Sequence, residues 1–194
     1  MNKSVWLLGI LAVSLIISGC SGGSSSKAGA DKDLALKFLQ GIQNGDKKMM
    51  YEAANLTTDV VNDSREKLIH PAQHKQTDIQ RRESEHALRT SGQIDFFVSK
   101  TRQMFPKSAA FQVMKTTDKG STEGVRVSIH LVKITYANKD EAMRDKTGKP
   151  VREMVVRFMQ LTRTVGGRPI NEFSFDSKDF EKMADKDFEV SSYF

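Results

Sequence analysis

The feature of this chain that most constrains its fold is a change of hydrophobic period at Pro106. Before it, apolar residues recur at helical spacing; after it, they alternate as in strands. Asp31 or Asp33 is placed to cap a first helix carrying Leu34, Ala35, Phe38, Leu39 and Ile42 on one stripe, and Gly45 closes it. Asp46 can cap a second, short helix with Met49, Met50, Ala53 and Ala54, and residues 57–68 hold a third bearing Val60, Val61 and Leu68. A polar stretch, His70 to Thr90, is weakly helical around Ile79 to Leu88. Ser91 then precedes a stronger helix with Ile94, Phe97, Val98, Thr101 and Phe105, which Pro106 stops.

Beyond Pro106, residues 111–117 read as a strand, and Asp118-Lys119-Gly120 with Gly124 supplies turn chemistry. The next strand starts with Val127, Ile129 and Leu131 on one face. Its apolar phase then slips to Val132, Ile134 and Tyr136, the pattern of a bulge or bend. A charged loop over 138–150 leads to a third strand over 151–165. Gly166-Gly167-Arg168-Pro169 forms a turn, and residues 170–175 read as a fourth strand. Asp176 to Lys186 reads as a short closing helix anchored by Phe180 and Met183, and Tyr193-Phe194 as a packed or frayed tail. The expected fold is α+β: N-terminal helices packed on a curved, cone-like four-stranded antiparallel sheet, with a short C-terminal helix.

This layout resembles the nuclear-transport-factor-2-like superfamily, also described as cystatin-like. The resemblance is carried by the opening segment that ends Phe38-Leu39-Gln40-Gly41-Ile42-Gln43-Asn44-Gly45-Asp46 and by the long bent strands from Val125 and Val151. Many exported members begin with a helix closing on such an Asn-Gly-Asp turn. Membership would imply the curved sheet but no particular activity, since the fold hosts enzymes, binding modules and assembly parts alike.

At the N-terminus, Lys3 leads into an apolar run from Val5 to Ile17, followed by Ser18-Gly19-Cys20. A charged start, a short greasy segment and small residues before a cleavage point make a secretory signal, too short to span a membrane stably. The tetrad Ile17-Ser18-Gly19-Cys20 resembles the lipobox of bacterial lipoproteins. The resemblance implies removal of residues 1–19, diacylglycerol on the Cys20 thiol and, usually, acylation of the freed amine. Two or more acyl chains hold a protein stably at a membrane. Ser21 stands where many enterobacterial lipoproteins retained at the inner membrane have Asp, so the resemblance favours the outer membrane. Residues 20–30 read as the lipidated cysteine and a flexible Gly/Ser tether, and 31–194 as one globular domain. Cys20 is the chain's single cysteine, which excludes disulfides and cysteine chemistry from the domain once it is acylated.

The precursor carries 30 Lys and Arg against 24 Asp and Glu; the signal removes only Lys3. The mature chain is thus mildly basic. Its basic pairs are followed by acids, and aromatics do not interleave with a basic stripe, which argues against nucleic acid and for a solvated mixed-charge surface. An envelope protein or cell-wall polymer is the expected partner, besides the membrane held through Cys20. His70 and His74 have i,i+4 spacing and His86 lies further on, but Pro71 interrupts the turn and no third ligand is spaced to join them, so no metal is expected. No nucleophile motif, phosphate loop or paired-carboxylate frame is present, and no cofactor is expected.

The non-catalytic reading, a binding or accessory module, is therefore preferred. The alternatives are an enzyme using the interior of the curved sheet, or a structural subunit of an envelope complex. An enzyme would draw on His130, Tyr136 and Asp95 as its acid–base set, with Arg157 as a further pocket candidate. His130 and Arg126 share a phase opposite Val127, Ile129 and Leu131, and the pattern favours a solvated outer face for both.

Overall fold

Four helices precede four strands in the computed structural model, which describes residues 27–101, 104–176 and 179. The signal, Cys20 and the closing helix expected over 176–186, apart from Asp176 and Asp179, lie outside the described residues. The helices are α1 (Lys27–Asn44), α2 (Lys47–Ala53), α3 (Thr58–Ile69) and α4 (Asp78–Thr101). The strands are β1 (Ala109–Thr122), β2 (Val125–Tyr136), β3 (Glu153–Val165) and β4 (Arg168–Phe175). They form one antiparallel meander in the order β1-β2-β3-β4. The chain is thus α+β, with the helices first, as its change of period requires.

Local chemistry sets the boundaries. Gly45 takes φ 68° after α1, and the Asp46 carboxylate accepts from the Met49 amide at 3.1 Å to start α2. Thr57 caps α3 in the same way, through Val60 at 3.2 Å. Thr77 and Gln80 cap each other reciprocally ahead of α4. The weak helix and the strong helix expected on either side of Ser91 are one continuous α4. The Thr90 and Ser91 hydroxyls donate back to the carbonyls of His86 and Leu88, which keeps these turn-prone residues inside the helix.

Two expectations about the strands are corrected. Asp118-Lys119-Gly120 is an irregularity within β1, where the register shifts between Asp118 and Ser121; the two-residue turn is Glu123-Gly124, with φ 51° and 77°. Nor does the phase of β2 slip after Leu131. Its pairing with β3 runs unbroken from Val125–Arg163 to Thr135–Glu153, and Ser128, His130, Val132, Ile134 and Tyr136 all face inward. The bulge expected in β2 sits in β1 instead, between Val113 and Lys115. Val127, Ile129 and Leu131 therefore lie on the outer face and remain half-buried.

The inner face meets α1. Phe38 stacks on Phe173 at 4.3 Å, and Phe158 lies 5.3 Å from Phe173 and 4.8 Å from Phe175. Gly41 lets α1 close on α2, since a Cβ there would sit 2.5 Å from Met50 Cγ. α4 reaches β4 from its open edge. Phe97 touches Phe175 on the inner face, while Arg89 grips Glu172 on the outer one, and the Asn171 amide at this edge donates to the Ala54 carbonyl at 3.1 Å.

Candidate functional site

The inner face of the sheet is apolar over one half and polar over the other. Val132, Ile134, Val156 and Phe158 make the apolar half. Ser128, His130, Gln160 and Asn171 are buried in the polar half, where antiparallel pairing brings β2, β3 and β4 side by side. Over them stands Asp31, which is 2% exposed.

Asp31 does not cap α1. α1 already includes Lys27, the first described residue, so Asp31 lies within the helix, on the stripe of Ala35, Phe38 and Ile42. Its carboxylate takes the Arg126 guanidinium in a two-pronged contact, Nη2 donating at 2.7 Å and Nη1 to the other oxygen, and accepts from Ser128 Oγ at 2.7 Å. Burial alone would raise its pKa; the Arg126 and Ser128 hydrogen bonds outweigh burial and hold it below the usual carboxylate range. Asp31 is thus an anion inside the fold, matched by one cation.

His130 is fully buried, and both ring nitrogens are engaged. Nδ1 lies 3.0 Å from Thr116 Oγ1 and Nε2 lies 3.1 Å from Gln160 Oε1. Gln160 turns its amide nitrogen toward Asn171 Oδ1 at 3.1 Å and Asp31 Oδ1 at 3.4 Å, so its oxygen is left for the imidazole. That assignment puts the proton on Nε2 and makes Nδ1 the acceptor of the Thr116 hydroxyl. Burial pushes the ring below its ordinary pKa and keeps it neutral, although the Gln160 bond and Asp31 pull the other way. The solvated face expected for His130 is corrected: a polar inner half with its own partners can bury this phase. Asn171 completes the chain of bonds by donating to the Ala53 carbonyl at 3.0 Å, which joins β4 to α2.

The other residues singled out from the sequence have separate surroundings. Tyr136 is buried at the far end of β2; its hydroxyl donates to the Met104 carbonyl at 3.0 Å and lies 3.2 Å from Met154 Sδ, and burial pushes the phenol pKa up. Asp95 is exposed on α4 and pairs with Lys47 at 2.6 Å. Arg157 lies on the outer face with Asp176 at 3.0 Å and Asp179 at 2.9 Å. His70 caps α3, and His74 stands 3.8 Å from Glu66. Among the described residues no three His, Cys, Asp or Glu side chains gather as a metal site.

His86 belongs to a second buried cluster that the sequence reading missed. Glu172, 2% exposed on the outer side of β4, has Arg89 at 2.9 Å, His86 Nε2 at 3.1 Å and Arg163 Nε at 3.6 Å. Burial lowers the His86 pKa; Glu172 opposes this, while Arg89 and Arg163 reinforce it. The signal was present in the alternation of Ile170, Glu172 and Ser174 against Asn171, Phe173 and Phe175, which puts a carboxylate in the middle of a strand. Apart from both clusters, a groove of about 270 Å³ opens between α3, α4 and the β3–β4 turn, lined by Asp63, Lys67, Glu83, Arg168 and Ile170 among others.

The polar inner cluster can fasten α1 to the sheet and hold an ion pair away from water. Its acid, base and amide groups are committed to one another, so the arrangement is one of positioning. No protein-family model, curated protein or solved structure matches the chain significantly.

Proposed function

We propose that this chain is a lipid-anchored protein of the bacterial envelope whose domain serves as a non-catalytic binding or accessory module. The observation that carries the reading is the run from Val5 to Ile17 ending in Ser18-Gly19-Cys20, with Cys20 the chain's single cysteine. Acylation there would fix the domain to a membrane, the outer one by preference given Ser21. α1 already covers residues 27–30 of the expected tether, so a flexible link after Cys20 would be at most residues 21–26, with an r.m.s. reach of no more than about 13 Å for a Gly/Ser composition. The domain would then work close to the headgroups.

The non-catalytic part is supported by His130, whose two nitrogens are taken by Thr116 and Gln160. A general base needs a free nitrogen within reach of a substrate proton. On the same reading, the domain is of the nuclear-transport-factor-2-like type, with a sheet that curls toward a cone and a short helix closing it over 176–186. The two register shifts in β1 favour such curling, because bulges bend strands and increase their twist.

Complementation of a deletion strain tests the reading. His130→Gln, at normal protein level, should keep the cellular role, and Cys20→Ala should lose it together with membrane attachment. Loss of the role in His130→Gln with attachment intact would promote the enzyme reading instead.

A further inference from the structure

We propose, resting on the lipid-anchored reading, that the tip of the α3–α4 hairpin is a membrane-docking surface that seats Ile69 and Ile79 among anionic phospholipid headgroups. α3 ends at Ile69, α4 starts at Asp78, and the two helices pack on each other. Among the described residues, Ile79 at 68% and Ile69 at 61% exposure are the most exposed large hydrophobics, and they flank the same connection, residues 70–77. Apolar surface held in water is unfavourable, and its transfer to a second phase relieves this.

Position favours a membrane as that phase. The Asp31 carboxylate holds Arg126 and Ser128 close to the β1–β2 turn, which puts the start of α1 at that end of the sheet. Val125 pairs with Arg163, so the β3–β4 turn lies at the same end. α4 runs along β4, with the Glu83 carboxylate against Gly166 of that turn, Arg89 at Glu172 and Phe97 at Phe175. The part of α4 before Glu83 therefore projects past the end of the sheet, by about 7.5 Å at Asp78. Lys27 and the hairpin tip share one pole. The chain from Cys20 to Lys27 can span at most about 25 Å, so acyl chains on Cys20 would keep this pole near the headgroups whatever path the link takes.

Charge selects an anionic surface. Residues 65–82 carry five Lys and Arg against two acidic side chains. Both acids have partners, Glu66 with His74 at 3.8 Å and Asp78 with Arg81 at 3.9 Å. Arg65, Lys75 and Arg82 are exposed, with no carboxylate within 4 Å among the described residues. Exposed isoleucines beside free cations match the boundary between acyl chains and phosphate-bearing headgroups. Two isoleucines offer only a small part of the roughly 800 Å² that each side of a standard protein interface buries, which disfavours a protein partner here.

Reconstitution of the chain, as extracted from envelopes, into vesicles tests this, with Ile79→Cys carrying an environment-sensitive fluorophore; Cys20, once acylated, takes no label. In vesicles of phosphatidylcholine with phosphatidylglycerol, the fluorophore should shift to shorter wavelength and be quenched by spin-labelled lipid. Shift and quenching should be lost in phosphatidylcholine alone, with Arg65→Glu and Arg82→Glu added, or at about 1 M salt, where the Debye length falls to about 3 Å. A chain that floats with both kinds of vesicle while its fluorophore stays in water would overturn the docking and leave the anchor standing, and quenching that is equal in both lipids would overturn the anionic preference. A chain that does not float with neutral vesicles would overturn the anchor, and the docking with it. Hydrogen exchange of the unlabelled wild-type chain is an independent measurement: the amides of residues 69–79 should exchange several-fold more slowly on anionic vesicles than on neutral ones, and equal rates would contradict the docking.

Discussion

Burial acts on Asp31 and His130 with opposite outcomes. For the carboxylate, two strong hydrogen bonds overcome desolvation and keep the charge; for the imidazole, desolvation wins and the ring stays neutral. The consequence for stability has a definite sign. His130 and His86 have folded pKa values below 6.5, so the unfolded chain binds more protons as pH falls through that value, and stability drops on acidification. The loss is at most about 1.4 kcal/mol per histidine for each pH unit. Asp31 adds a loss at more acidic pH: its contribution is full above the ordinary carboxylate pKa and vanishes as pH falls through its lowered folded value. Denaturation midpoints between pH 7.5 and 5 should therefore decline, and His130→Gln should flatten that slope. A slope unchanged by the substitution would mean that the ring titrates freely. Asp31→Ala should destabilise by roughly 2 to 4 kcal/mol, because it leaves the Arg126 guanidinium and the Ser128 hydroxyl without their acceptor. Equal midpoints in urea for wild type and Asp31→Ala would contradict that. The sequence held part of this site: Asp31 falls on the apolar stripe of α1, where a carboxylate must find a partner. Its partners come from β2 and β3, so only the tertiary structure could pair them.

Within elements, alternation is the most exposed claim. Val155 and Val156 are neighbours on β3; the first is 46% exposed and the second is fully buried. Val156→Asp should place an unpaired carboxylate in the apolar half of the inner face and destabilise by several kcal/mol, whereas Val155→Asp, opposite Lys133, should change stability by less than about 0.5 kcal/mol. Comparable losses from both would show that the strand faces are misassigned. All four strands and the Gly166-Gly167 turn were legible in the alternation and the glycines. The inward phase of β2 was not, because Val127, Ile129 and Leu131 look more like core than Ser128 and His130 do. Hydropathy favours the wrong face wherever the core is polar and satisfied, and it carries no record of Thr116, Gln160 and Asp31 as partners. The Glu123-Gly124 turn was displaced for a related reason. Asp118-Lys119-Gly120 has turn chemistry, with Gly120 at φ 87° and its amide bonded to the Asp118 carboxylate, and β1 uses it to change register.

At the scale of the whole molecule, order along the chain carries most of the architecture. Helices before Pro106 and strands after it can bury their apolar sides only against each other, and the Phe38, Phe158, Phe173 and Phe175 cluster is where they do. What the order does not encode is how the polar clusters distribute around that core, since Asp31 and Gln160 meet across 129 residues, and Arg89 and Glu172 across 83. The proposed role adds position: a domain tied by a short link at Cys20 acts where the acyl chains hold it. Removing the acceptor should therefore change location before it changes fold. Cys20→Ala should release the domain from the membrane or leave the signal uncleaved, with the thermal midpoint of the domain unaltered; a variant that still fractionates with membranes as a processed chain would contradict the anchor. The most direct measurement is the mass of the N-terminal peptide of the mature chain extracted from envelopes. The account predicts a peptide that begins at Cys20 and carries diacylglycerol on its thiol, whereas a peptide that begins elsewhere, or an unmodified Cys20, would contradict it.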